Sequence, residues 1–237
     1  MSKNRICIGL LVTIVLASRF GRPQDGSMAP ATGELRLRIV SSRQGKTRDI
    51  PAVIWLEPLP GTTVLPFAPH GHYTLLQKNR TFIPHLLVIP VGSVVQFPNA
   101  DPFFHNVFSL FDGKRFDLGL YEAGSSKSVS FSRAGVSYIF CNIHPEMSAV
   151  ILTLSTPLYA IADASDSFTL REILPGDYEL HIWIEGVPQP ALAGLGRRLH
   201  LSARAVDLGQ IEAPISAIAA HKNKFGDAYP PETQQPY

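Results

Sequence analysis

The sequence predicts an all-β protein. Three observations carry this. Apolar runs of four to six residues recur with turn chemistry between them, no window sustains a helical period, and Pro (20) and Gly (18) are abundant for 237 residues. Several short strands at such spacing mean a sandwich or barrel. Composition is otherwise that of a globular chain, with 45% hydrophobic and 17% charged residues. A net charge of +2 gives no reason to expect nucleic acid as a partner.

Residues 34–39 alternate Glu34, Arg36, Arg38 with Leu35, Leu37, Ile39, the period of a half-buried strand. Residues 51–56 form a second apolar run, and residues 58–73 read as a long loop rich in Pro, Gly and Thr. Residues 82–97 read as a strand pair or one bent strand, broken at Pro90-Val-Gly92. Strands are expected at 106–110, 116–120, 128–131, 137–141 and 149–154. Asp112-Gly113, Gly124-Ser125 and Arg133-Ala-Gly135 separate them as turns. Residues 167–173 and 178–184 flank the turn Pro175-Gly176-Asp177, and 197–203 and 206–211 continue the series.

Lys3 and Arg5 precede an uncharged run over residues 6–17, the pattern of a secretory signal peptide. The run is short for a membrane span, which needs about 20 residues; an uncleaved anchor is the alternative. Cleavage near Ala17 leaves 19 basic against 19 acidic residues and no membrane segment. It also removes Cys7 and leaves Cys141 as a lone cysteine in an exported chain. Such a thiol calls for a metal, a catalytic role or an intermolecular bond.

The organisation expected is a signal peptide (1–17), a linker (18–33), a larger β-domain with extra N-terminal strands (34–156), a small β-domain (157–215) and an extended tail (216–237).

The chemistry concentrates in Tyr138-Ile-Phe-Cys141-Asn-Ile-His144-Pro-Glu-Met147. Cysteine, histidine and methionine share one short loop between two strands, spaced C-x2-H-x2-M. Upstream, Phe97-Pro-Asn-Ala-Asp-Pro-Phe-Phe-His105 places a histidine at the entry to another strand. A thiolate and two imidazoles, with a weak axial thioether, are the donors of a blue-copper electron-transfer site. Zinc is disfavoured, because methionine suits it poorly and structural zinc prefers more cysteine. A Cys–His hydrolase would lack an orienting acid and leave Met147 without a role.

These two segments resemble the cupredoxins, of the plastocyanin and amicyanin type. The C-x2-H-x2-M spacing matches amicyanin's short ligand loop. The resemblance covers about 82–155 and implies a Greek-key sandwich holding one type 1 copper ion. His105, Cys141, His144 and Met147 are then the metal ligands, and Asn106 the residue that ties the two ligand loops by hydrogen bonding. Residues 168–183 loosely resemble transthyretin-like or carboxypeptidase-regulatory-like β-domains, so the small C-terminal domain is expected to be a second β-sandwich. The implied function is one-electron transfer with redox partner proteins in the periplasm or outside the cell, without enzymatic activity. Copper storage or delivery, or a structural surface module, are the alternatives.

Other histidines read more plainly. His70-Gly-His72 is an H-x-H pair in a solvated loop. His85 is a surface residue or stands behind the ligands. His181 packs near Trp183, and His200 and His221 lie at the surface. Phe103, Phe104, Ile143 and Pro145 flank the ligands as core packing or as an apolar collar around His144. Lys114, Arg115 and Glu146 are candidates to bias a partner's charge.

Overall fold

A computed structural model describes residues 31–41, 50–63, 71–110, 113–215 and 221–229. The signal peptide, most of the linker and His70 lie outside these residues. Among the described residues the chain forms seventeen strands and one short helix.

Two strands open the fold, β1 (Gly33–Ser41) and β2 (Ala52–Pro58). Next come β3 (His72–Thr74), β4 (Leu76–Lys78), β5 (Thr81–Ile83), β6 (Leu86–Pro90) and β7 (Ser93–Pro98). The strands β8 (His105–Ser109), β9 (Phe116–Tyr121), β10 (Ser126–Phe131), β11 (Gly135–Phe140) and β12 (Ser148–Leu154) follow. The chain then adds β13 (Tyr159–Ile161), β14 (Ser167–Ile173), β15 (Gly176–Ile184), α1 (Gln189–Ala193), β16 (Arg197–Leu201) and β17 (Ala205–Ala213).

Two of the sheets form a sandwich, β10-β7-β3 and β6-β12-β11-β8-β9. Their inward residues, among them Val95, Phe97, Val107, Phe131, Ile139 and Ile151, make one core cluster that also contains Cys141 and Met147. From β9 the chain passes to β10 in the other sheet and returns to β11 beside β8, the non-local return of a Greek key. The two-residue turn at Asn79 and Arg80, both at positive φ (54° and 55°), joins β4 to β5. Paired left-handed residues are what a tight hairpin of this twist demands.

A second core cluster gathers two further sheets, β14-β1-β17 and β13-β2-β15-β16, while β4 and β5 pair as a separate hairpin. Leu35, Leu37 and Ile39 of β1 are buried while Arg36 and Arg38 are exposed, as their alternation predicts. Their pairing departs from the domain boundaries drawn on the sequence. β1 lies antiparallel to β14 and parallel to β17, and β2 lies between β13 and β15. The N-terminal strands therefore complete the sheets of residues 157–215 rather than extend the sandwich of 72–154. Period-two alternation fixes which face of a strand is buried, not which strand lies beside it.

The clusters meet across β12. Ala149 and Ile151 face the Cys141 cluster, whereas Val150, Leu152 and Leu154 face the other. A strand covered on both faces reads as an apolar run, which is how 149–152 reads.

Candidate metal centre

His105 opens β8, whose five residues are all buried. Its ring is held from behind. Asp101 Oδ2 accepts from His105 Nε2 at 2.9 Å. The Asp101 carboxylate is itself cradled by two backbone N–H groups of the β4–β5 turn, Asn79 at 2.6 Å and Arg80 at 3.0 Å. Asn99 fixes the loop between, accepting from the Asp101 N–H at 3.0 Å and donating to the Phe103 carbonyl at 2.8 Å. Burial disfavours the Asp101 carboxylate, but hydrogen bonds from Arg80, His105 and Asn79 hold it below the usual carboxylate range. With Nε2 donating to Asp101, Nδ1 of His105 presents its lone pair in the opposite direction, the orientation a ligating histidine needs.

Cys141 and His144 come from the loop between β11 and β12. That loop closes on itself: the Cys141 N–H donates to the Met147 carbonyl at 3.2 Å, and the Met147 N–H to the His144 carbonyl at 3.1 Å. Pro145 at the loop's apex restricts it further. Cys141 and Met147 have no solvent exposure, and His144 retains 2%.

The three side chains converge. Cys141 Sγ lies 3.8 Å from His105 Nδ1 and 3.6 Å from His144 Nδ1. All three donor atoms fall within 4.8 Å of one another. Sulfur and nitrogen sharing one ion at roughly 2.0–2.3 Å, about 120° apart, would be separated by about 3.6–3.8 Å. The two sulfur–nitrogen spacings therefore suit a common ion.

Electrostatics suit the same role. Burial lowers the His105 pKa, against the pull of Asp101, and burial with the neighbouring His105 pushes His144 down to about 4. Both rings are thus neutral near pH 7, as metal binding requires. Burial pushes the Cys141 thiol up, but the backbone N–H groups of Asn106, Ile143 and His144 oppose it by facing the sulfur. These three donors would stabilise the thiolate that a cation at this site requires.

Phe103 packs against both imidazoles, with ring centroids 5.2 Å from His105 and 5.6 Å from His144. Phe104 and Pro145 are exposed beside it, and Ile143 is half-buried. The collar expected around His144 is therefore split into a packed ring and an apolar rim.

Some residues take other places than expected. The Asn106 side chain donates to Asp117 Oδ1 at 2.7 Å, and its link to the ligand loop is made by its backbone N–H at the Cys141 sulfur. His85 is not a plain surface residue; it bridges the Ser148 carbonyl (3.1 Å) and the Glu185 carboxylate (2.9 Å). His181 stacks on Trp55 with ring centroids 5.1 Å apart. His200 pairs with Asp177 at the surface, and His72 is exposed in β3. His221 stacks on Phe140, directly before Cys141, instead of lying free at the surface. Sequence reasoning passed over Asp101, although an acid four residues before a ligating histidine is a readable signal. Residues 221–229, read from the sequence as part of an extended tail, instead carry a turn and contact Phe140, Cys141 and Asn142.

The two-sheet sandwich and its donor set suit one copper ion at the buried His105–Cys141–His144 group. Solved structures similar to the chain include a purple cupredoxin from Nitrosopumilus maritimus, at 23% identity, 35% of this chain, 99% of that chain and a TM-score of 0.32. A copper-containing nitrite reductase from Thermus scotoductus matches at 25% identity over 41% of this chain and 25% of the reductase, with a TM-score of 0.33. A reduced tryptophan-to-tyrosine variant of amicyanin matches at 20% identity over 35% of this chain and 83% of amicyanin, with a TM-score of 0.34. No family model matches the chain, and no curated protein matches it.

Proposed function

We propose that the protein is an exported type 1 copper protein that carries single electrons between redox partners. One observation carries this reading. Two neutral imidazoles and a thiol, all buried, converge with their donor atoms within 4.8 Å of one another in a frame closed by backbone hydrogen bonds. His105 Nδ1, Cys141 Sγ and His144 Nδ1 would hold the ion, and the Met147 thioether would serve as a further, weak donor. Copper supplies a one-electron couple there. The chain's own residues keep the donor geometry constant in both oxidation states and exclude water.

A carrier needs its ion retained and its surface available for brief encounters. Ligands with almost no exposure favour retention over delivery to another protein. Phe104 and Pro145 offer a small apolar patch at the ligand loops, suited to weak redox docking. The basic and apolar N-terminal segment and the lone Cys141 favour function in the periplasm or outside the cell.

The test is the visible absorption spectrum of the purified protein with Cu(II), beside Cys141→Ser. An intense thiolate-to-copper band that the variant lacks supports the reading. A folded protein with a free thiol and no such band would falsify it.

A further inference from the structure

We infer that the C-terminal segment 221–229 is a built-in part of the metal centre, with Tyr229 and Lys224 as positioning residues for the ligand loop. This rests on the copper reading of the site, but the contacts themselves do not depend on it.

The segment grips three successive residues of the loop's entry. The His221 ring stacks on Phe140, with centroids 4.2 Å apart and planes 26° from parallel. The Tyr229 hydroxyl donates to the Cys141 carbonyl at 2.6 Å. The Lys224 backbone N–H donates to Asn142 Oδ1 at 2.9 Å. His221 Nδ1 also lies 3.2 Å from the Tyr229 oxygen, so the two aromatic anchors brace each other.

A second arm reaches the other ligand loop. Lys224 Nζ pairs with Asp117 Oδ2 at 2.7 Å, and Asp117 Oδ1 accepts from the Asn106 side chain at 2.7 Å. Asn106 follows His105 in sequence, and its N–H faces the Cys141 sulfur. The segment therefore touches the surroundings of both loops that supply ligands.

It is stiff enough to act as a clamp. The Asn223 side chain accepts the N–H groups of Phe225 (2.9 Å) and Asp227 (3.0 Å). The Asn223 N–H donates to the Asp227 carbonyl, and Gly226, at φ +89°, donates back to Asn223. A closed turn of this kind holds Lys224 between its two partners.

Both contacts also offset negative charge near the site. The Tyr229 O–H dipole ends on the Cys141 carbonyl, and the Lys224 ammonium lies one carboxylate away from Asn106. Each favours the state holding the extra electron.

The experiment compares the full chain with Tyr229→Phe, which keeps the ring and loses the O–H, and with a chain ending at Ala220. Amide hydrogen exchange over residues 141–147 is measured in metal-free protein. The reduction potential is measured in copper-loaded protein. Exchange should accelerate about fivefold in Tyr229→Phe, the worth of one hydrogen bond, and more in the shortened chain, with exchange in β2 and β15 unchanged. The potential should fall in both variants. Unchanged exchange over 141–147 together with an unchanged potential would overturn the inference. If the protein takes up no copper, the exchange data still decide it, and the functional reading alone is lost. If the shortened chain does not fold, Tyr229→Phe decides it.

Discussion

Asp101 and His105 form a buried carboxylate–imidazole pair, Oδ2 to Nε2 2.9 Å, and the carboxylate is anchored by the amides of a hairpin turn two strands away. The pair commits one face of the imidazole to the protein and leaves the other for the ion. Orientation of a ligand by such a partner is commonly worth 10–100-fold in metal affinity. Asp101→Leu should weaken copper binding by about that factor in a chelator competition. Asp101→Asn keeps an acceptor for Nε2 and should fall between the two. Equal affinities in all three proteins would show that the pair does not orient the ligand.

Met147 is fully buried in the core cluster that contains Cys141. Met147→Leu conserves volume, so it should cost under about 1.5 kcal/mol of stability by urea unfolding. Loss of a weak thioether donor disfavours Cu(II), so the copper-loaded variant should keep its visible band and show a higher potential. A potential equal to that of the parent protein would remove Met147 from the ligand set.

His85 links Ser148 to Glu185, with acceptors at both ring nitrogens, and its pKa is raised chiefly by the Glu185 hydrogen bond. A raised folded-state pKa means the folded protein holds the proton more tightly than the unfolded chain. The added stability is complete below about pH 6.5 and is lost as pH rises through the folded value. The stability gap between the parent and Glu185→Gln should accordingly be larger at pH 5.5 than at pH 8.5. A gap that does not change between those pH values would contradict this.

Ile151 and Leu152 are adjacent in β12 and face different core clusters. Each is fully buried, so Ile151→Ala and Leu152→Ala should each cost about 2–5 kcal/mol. Because one strand serves both clusters, each variant should still unfold in a single transition, and calorimetry can check this. Two resolved transitions in either variant would show that the clusters melt independently.

Much of the site was legible in the sequence. The ligand loop is local: Cys141, His144 and Met147 lie within seven residues, and the strands on either side announce themselves as short apolar runs. His105 needed only a strand start and a donor type. The supports were less visible, because they come from distant segments. Asp101 depends on the Asn79–Arg80 turn, and the three-residue strands β4 and β13 are too short to show a period. The pairing of β1 with β14 and β17 rests on contacts more than a hundred residues apart in sequence. The contacts of Tyr229 and Lys224 follow no pattern within the tail itself, which is polar and rich in turn formers.

β12 has its apolar side chains divided between two interiors, and this limits how the protein can be taken apart. Excising residues 72–154 would open one flank of that strand to water, baring Val150, Leu152 and Leu154 at once. The fragment would carry the metal ligands with a sticky outer wall, and precipitation would compete with folding. A freestanding carrier built from this chain would first need that wall recoloured with polar side chains, as small solitary sandwiches present to solvent.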